Sequence, residues 1–243
     1  MAVGVPVGLL VLAAAGWWWS ARMAPDAGSG GMDGMTSMQT GMSAGAFVVA
    51  WIAMMAAMML PAVLPVVKLY ARAAAHGRAA PTGFFVLGYL AVWSAMAIPA
   101  YFAWRALEDP LAMGAPWVAR LAGATFLGAA VWQLTPLKTL CLRHCRSPLG
   151  FFLRFGGKIR RPLGAARMGA AHGAFCFGCC WAIFAVLVVL GTMNLAWMAG
   201  LTVLIVLERN ARHGHAIALA AGAAFAVMGV LLFVDTSILM RLT

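Results

Sequence analysis

Long apolar stretches, separated by short polar or basic segments, make up most of the chain. Stretches such as Ala44–Val67 and Gly169–Leu190 are long enough to cross a bilayer as helices of about 20 residues. Leu195–Leu207 is apolar too, but its 13 residues are short for a span, so the helix there is the weakest of the set. The pattern predicts seven helices, at Val3–Trp19, Ala44–Val67, Gly83–Trp104, Trp117–Leu137, Gly169–Leu190, Met193–Arg209 and His215–Val234.

The apolar pattern predicts an all-α, polytopic transmembrane helix bundle. Of the 243 residues, 64% are hydrophobic and only 9% are charged, whereas a soluble domain carries about 25% charged residues. Residues 1–43 are interpreted as an N-terminal transmembrane helix followed by an external loop rich in methionine, and a cleaved signal segment is the alternative for that helix. Residues 44–243 are interpreted as one metal-binding transmembrane bundle.

The distribution of basic residues predicts the orientation of the bundle. The net charge is +11, and the segment Lys138–Arg167 holds eight basic residues and no acid. Basic residues that border apolar segments stay in the cytoplasm and contact anionic lipid. With the N-terminus inside and the C-terminus outside, thirteen of the 17 Lys and Arg residues are cytoplasmic. This indicates a multi-pass protein of the inner membrane, with an anionic inner leaflet as its surroundings and no nucleic-acid partner.

One predicted helix carries an imidazole and three thiols on the same face. His172, Cys176, Cys179 and Cys180 fall within roughly a 100° arc of a helix, just inside the start of Gly169–Leu190. Polar groups need partners in lipid. A soft metal ion suits this ligand set best. The alternative is that the buried cysteines act as small apolar residues.

Further sulfur-containing groups extend this pattern. Cys141, His144 and Cys145 share a helical face at the inner end of the fourth predicted helix, with the same alternative of simple packing. A stripe of methionines in the second helix either packs against neighbours or passes a metal: Met54, Met55, Met58 and Met59. The loop Arg22–Ser43 adds Met32, Met35, Met38 and Met42, which indicates external copper capture or only a Met-biased linker.

Glu208 is the only acid near the inner face of the predicted bundle. An ionisable group there couples protons or serves a metal ligand, but a cap paired with Arg209 or Arg212 is the favoured interpretation. No phosphate loop, nucleotide fingerprint, catalytic triad or HExxH motif occurs. The sequence therefore favours a protein that is not an enzyme.

Three segments together resemble one bacterial family: MMAAMMLP at Met54–Pro61, QLTPLKTLCLRHCRSPL at Gln133–Leu149, and CFGCCW with the later GTMNLAWMAG at Cys176–Gly200. This is the domain-of-unknown-function family 2182, described as predicted metal-binding integral membrane proteins. The resemblance spans roughly Ala44–Arg212. It implies a metal at Cys141, Cys145, Cys176, Cys179 and Cys180.

Together these patterns favour a membrane protein that binds a soft metal, Cu(I) above other soft or transition metals, and transports or transfers it. A metallochaperone or a membrane complex is the expected protein partner. Two other functions stay open: a membrane thiol–disulfide oxidoreductase, and an assembly subunit of a membrane complex that needs no metal.

Overall fold

A computed structural model describes residues 4–23, 43–113, 115–190 and 195–242. Within these ranges the regular structure is helical and contains no strand, which confirms the predicted all-α class. The helices are α1 (Gly4–Met23), α2 (Ala44–Ala75), α3 (Thr82–Ala95), α4 (Ala97–Ala112), α5 (Pro116–Leu134), α6 (Pro136–Arg146), α7 (Pro148–Phe155), α8 (Pro162–Val189), α9 (Leu195–Asn210), α10 (Gly214–Val234) and α11 (Ser237–Leu242), with a 3₁₀ turn at Gly156–Lys158.

Four segments of the described chain are long and apolar enough to cross a membrane, which is compatible with a membrane protein. They are Ala44–Ala75, Thr82–Leu107, Pro162–Val189 and Gly214–Val234. The second of these runs through α3 and α4, which join at Met96. The external loop Arg22–Ser43 falls almost entirely outside the described residues, and so do Met32, Met35, Met38 and Met42.

Prolines set several boundaries that the apolar pattern placed wrongly. The predicted helix Trp117–Leu137 ends instead at Leu134, because Thr135 precedes a proline and takes an extended conformation. Its hydroxyl then accepts from the backbone N–H of Lys138 and caps α6. Pro162 likewise opens α8 seven residues before the predicted start at Gly169.

Other predicted loops are helical. The stretch after Trp104, predicted as a loop, continues as helix to Ala112. The basic segment Lys138–Arg167 contains α6, α7 and the start of α8. The second helix, predicted to end at Val67, contains Pro61 and Pro65 and continues as α2 to Ala75. Local polarity misled the prediction here, because charged residues at the end of an apolar helix do not stop its hydrogen bonding.

Glycines bring α8 against α3 at very short range. A Cβ on Gly88 would collide with the backbone carbonyl of Ala166, and one on Gly169 would collide with that of Phe85. Gly173 faces Tyr89 and Val92 in the same way. Small residues allow helix backbones to approach closely in a membrane. This contact sets the axial register of the two helices, and it therefore determines which residues of α3 lie level with the thiols of α8.

Candidate metal centre

Four thiols meet in the interior of the bundle, three from α8 and one from α6. Cys145, Cys176, Cys179 and Cys180 are each at most 5% exposed. The Sγ atoms of Cys179 and Cys180 are 3.3 Å apart, and those of Cys145 and Cys179 are 4.0 Å apart. The tertiary fold therefore joins two segments of the sequence into one sulfur cluster, which we call the thiol cluster.

Helical geometry accounts for the contribution of α8. Positions 172, 176, 179 and 180 are related by steps of three and four and lie on one face, and that face points into the bundle, since His172 is completely buried too. One expectation was wrong. Because α8 begins at Pro162, Cys176 lies near the middle of the helix and not just inside its start.

A thioether and a phenol complete the surroundings of Cys176. Its thiol lies 4.0 Å from the Sδ atom of Met59 on α2 and 3.2 Å from the Oη atom of Tyr89 on α3. The other three methionines of the predicted stripe, Met54, Met55 and Met58, are buried in the hydrophobic core. Of the stripe, Met59 is therefore the member that reaches the thiol cluster.

A buried arginine holds both Cys176 and His172. The guanidinium of Arg209, on α9, donates to the Sγ atom of Cys176 at 2.8 Å and to Nε2 of His172 at 3.2 Å. Arg209 is only 4% exposed. Since Nε2 of His172 accepts, the ring proton resides on Nδ1, which has no hydrogen-bond partner. The cluster thus contains a cation from the protein itself.

The remaining residues of the second cysteine motif lie at the margin of the cluster. Cys141 is half-buried against Gly178, and burial raises the pKa of its thiol. His144 stacks on Phe175 with ring centroids 4.4 Å apart, and its Nδ1 lies 2.9 Å from the carbonyl oxygen of Leu140. Cys141, His144 and Cys145 were predicted to share one helical face. They differ in burial, and Cys145 is the one of the three that is fully buried.

Glu208 has different partners from those favoured by the sequence. Its carboxylate accepts from Nζ of Lys138 at 2.7 Å and from the side-chain amide of Gln133 at 2.8 Å. Glu208 and Lys138 are each 1% exposed. The interpretation as an interfacial cap paired with Arg209 or Arg212 is wrong, because the fold carries the end of α9 into the interior.

The donor chemistry suits a soft metal. Thiol, thioether and imidazole groups are the ligands that Cu(I) prefers over hard oxygen ligands. In the described part of the chain, no group of three or more His, Cys, Asp or Glu side chains is already arranged to hold a metal ion. Two pairs of thiols, Cys179 with Cys180 and Cys145 with Cys179, are nevertheless close enough to share an ion. A zinc–thiolate bond of about 2.3 Å gives the scale, so two sulfurs on one ion lie at most about 4.6 Å apart.

A comparison of the sequence with protein families gives one informative match. Residues 48–232, about three quarters of the chain, match the family PpoB2, described as copper chaperone. The chain belongs to this family. The match covers all five cysteines, His172 and Arg209, and it supports a copper-related role. It does not confirm the domain-of-unknown-function family that the motifs resemble. No curated protein and no solved structure matches significantly.

Sequence reasoning missed the two residues that touch Cys176 most closely from other helices. Tyr89 occurs in an apolar segment with nothing to distinguish it, and the apolar pattern places Arg209 at the end of the sixth predicted helix, at the cytoplasmic boundary. A usable signal did exist for Arg209. Burying a charged side chain in a membrane segment is costly unless it has a partner. The buried thiols were available as partners for Arg209.

Proposed function

We propose that the protein binds Cu(I) at the thiol cluster and hands it to a partner, from within the bacterial inner membrane. The observation that carries the proposal is the meeting of four buried thiols from two helices beside a thioether. The family description as copper chaperone supports the same metal. A chaperone must hold copper and also release it, which a cluster with several alternative soft donors can do.

The geometry favours a particular ligand set. Cys176 and Cys179, with Cys145 or Cys180, supply thiolates, and thiolates are the strongest soft donors present. Met59 and His172 are the additional donors in contact with the cluster. Outside this set, the remaining sulfur and imidazole groups form proposed relay positions for the metal: Cys141, His144, Met54, Met55 and Met58.

The orientation follows the charge distribution. We infer that seven segments cross the membrane: α1, α2, the α3–α4 pair, α5, α8, α9 and α10. The N-terminus is cytoplasmic and the C-terminus external. The methionines of the loop Arg22–Ser43 then lie outside, where they bind copper that enters or leaves the bundle on that side. The cytoplasm is reducing, so thiols accessible from that side stay free for the metal.

Replacement of the central donors tests the function. The variant Cys176→Ser/Cys179→Ser keeps size and removes soft ligands, so we expect it to lose Cu(I) binding, measured on purified reduced protein against a chromophoric chelator. Met59→Leu should lower the affinity by about tenfold, or about 1.4 kcal/mol, because a thioether is a weaker, neutral donor.

Met198→Leu is the matched control, since Met198 is a buried methionine of α9 that belongs to neither the proposed ligands nor the relay positions. It should bind copper like the unmodified protein. Full copper stoichiometry in the double serine variant would contradict the proposal. Reversible formation of a disulfide at Cys179 during turnover, without any metal, would favour the thiol–disulfide oxidoreductase instead.

A further inference from the structure

A cavity of about 550 Å³ opens beside the thiol cluster, between α2 and the end of α9. Its lining residues are Pro61, Leu64, Pro65, Arg146, Arg209 and Asn210. Pro65 and Asn210 are exposed, whereas Arg209 is buried and holds Cys176 and His172 on its far side. The cavity therefore leads from the protein surface to Arg209, and Arg209 separates the cavity from the metal donors Cys176 and His172.

The cavity is positively charged. Two of its six described lining residues are arginines and none is an acid. The nearest carboxylate in sequence, that of Glu208, is engaged by Lys138 and Gln133. Arg146 is anchored at the rim, because it donates to the backbone carbonyls of Glu208 at 2.8 Å and of Ala211 at 2.7 Å. A concave site with this charge attracts anions.

In its observed position, the Arg209 side chain blocks the access of a metal ion to the donors. The Nε2 atom of His172 has a single lone pair, and this lone pair already accepts from Arg209. A metal ion and the guanidinium therefore exclude one another at His172. Arg209 itself has an Nε–H group without a hydrogen-bond partner. The side chain lines the cavity, so it can turn into it without unfolding a helix.

We infer that this cavity is the docking site for an anionic, thiolate-ligated Cu(I) donor, and that Arg209 closes the passage from the cavity to the thiol cluster. Cu(I) bound by two thiolates carries a net negative charge, and a donor with carboxylates adds more. Arg146 and Arg209 match such a ligand, since guanidinium groups bind carboxylates strongly. The anion gives Arg209 a new partner as it leaves Cys176 and His172.

The transfer is an exchange of ligands without any change of oxidation state. Copper leaves two donor thiolates and gains protein sulfur ligands, and protons released by protein thiols pass to the departing donor. The identity of the donor rests on the proposed function, whereas the passage from the cavity to Cys176 does not.

Filling the cavity tests the passage. Leu64→Trp should slow loading from the Cu(I)–glutathione complex severalfold and leave the final copper stoichiometry unchanged. Leu69→Trp is the matched control, because Leu69 lies on the same helix but lines a separate cavity of about 300 Å³. In metal-free protein, Leu64→Trp should also slow the alkylation of Cys176 by N-ethylmaleimide, followed by mass spectrometry.

Removing the rim charge tests the donor. Arg146→Gln should slow loading from Cu(I)–glutathione by about tenfold, within the range that electrostatic attraction contributes to association rates. Loading from the cationic acetonitrile complex of Cu(I) should not slow. The control is Arg143→Gln, an exposed arginine of the same helix.

The outcomes separate this inference from the proposed function. If copper binds and Leu64→Trp changes neither the loading rate nor the alkylation rate, the passage is wrong. If Arg146→Gln slows both copper donors equally or neither, the anionic donor is wrong. If alkylation is slowed while even the unmodified protein binds no copper, the passage stands and the proposed function fails.

Discussion

Lys138 and Glu208 show how a buried ion pair is accommodated in an apolar bundle. Each is 1% exposed, and the pair is 2.7 Å apart. Gln133 donates a further hydrogen bond to the carboxylate. Burial of either charge alone is costly, because the interior does not replace the lost hydration. The pair therefore ties α9 to the junction of α5 and α6, next to the position at which Arg209 contacts the thiols.

Breaking this pair should destabilise the protein strongly. We expect Lys138→Met to lower the free energy of unfolding by about 3–5 kcal/mol, because it leaves a buried, unpaired carboxylate. The double variant Lys138→Met/Glu208→Leu should recover most of the loss. Unfolding in detergent measures both, and Lys68→Met, at an exposed position, is the control. A double variant that is no more stable than Lys138→Met would show that the two side chains do not act as a pair.

Helices α3 and α8 pack with almost no side chain between their backbones. Gly88 and Gly169 lie opposite the carbonyls of Ala166 and Phe85, and Gly173 continues the contact. Tyr89 follows Gly88 directly, and its hydroxyl lies 3.2 Å from the thiol of Cys176. The close approach of two helices thus determines whether a phenol from α3 can reach the thiol cluster.

A methyl group in this interface should force the two helices apart. We expect Gly169→Ala to lower the free energy of unfolding by about 1–3 kcal/mol, as overpacking does, and to weaken copper binding because Tyr89 and Cys176 separate. Gly128→Ala is the control, since a Cβ there meets no atom within 4 Å. It should be neutral or stabilise by up to about 1 kcal/mol through helix propensity. Equal stability of the two variants would contradict the packing argument.

Basic segments that are far apart in sequence meet at one end of the whole molecule. The backbone N–H of Ala80 donates to the carbonyl of Ile159 at 2.7 Å, which joins the loop after α2 to the turn before α8. Arg146 reaches the carbonyls of Ala211 and Arg212 after α9. A common basic end is the arrangement that the positive-inside rule needs, because all these segments must lie on the same side of a membrane.

Reporter fusions test the orientation of this end. A reporter that is active only outside the cytoplasm should be inactive after Arg161 and active after Met35. The physical reason is the bias of Lys and Arg, which keeps the basic segments on the cytoplasmic side. The reverse pattern would invert the orientation and would place the basic cavity outside the cell.

The sequence by itself determined the helical class, the approximate course of the long apolar helices, and the face shared by His172, Cys176, Cys179 and Cys180. These features depend on local quantities, namely runs of apolar residues and a period of 3.6. Helix boundaries were less accurate at Thr135 and Pro162, where backbone sterics at proline outweigh hydrophobicity.

Only the tertiary structure decided which residues surround Cys176. Met59, Tyr89 and Arg209 come from three other helices. Likewise, Cys145 reaches Cys179 only because α6 folds back against α8. A lone arginine in the sequence is equally compatible with a membrane boundary and a buried site. Arg209 is buried in the folded protein because α9 packs against α8. This contact supplies the sulfur of Cys176 and the imidazole nitrogen of His172 as the partners that a buried charge requires.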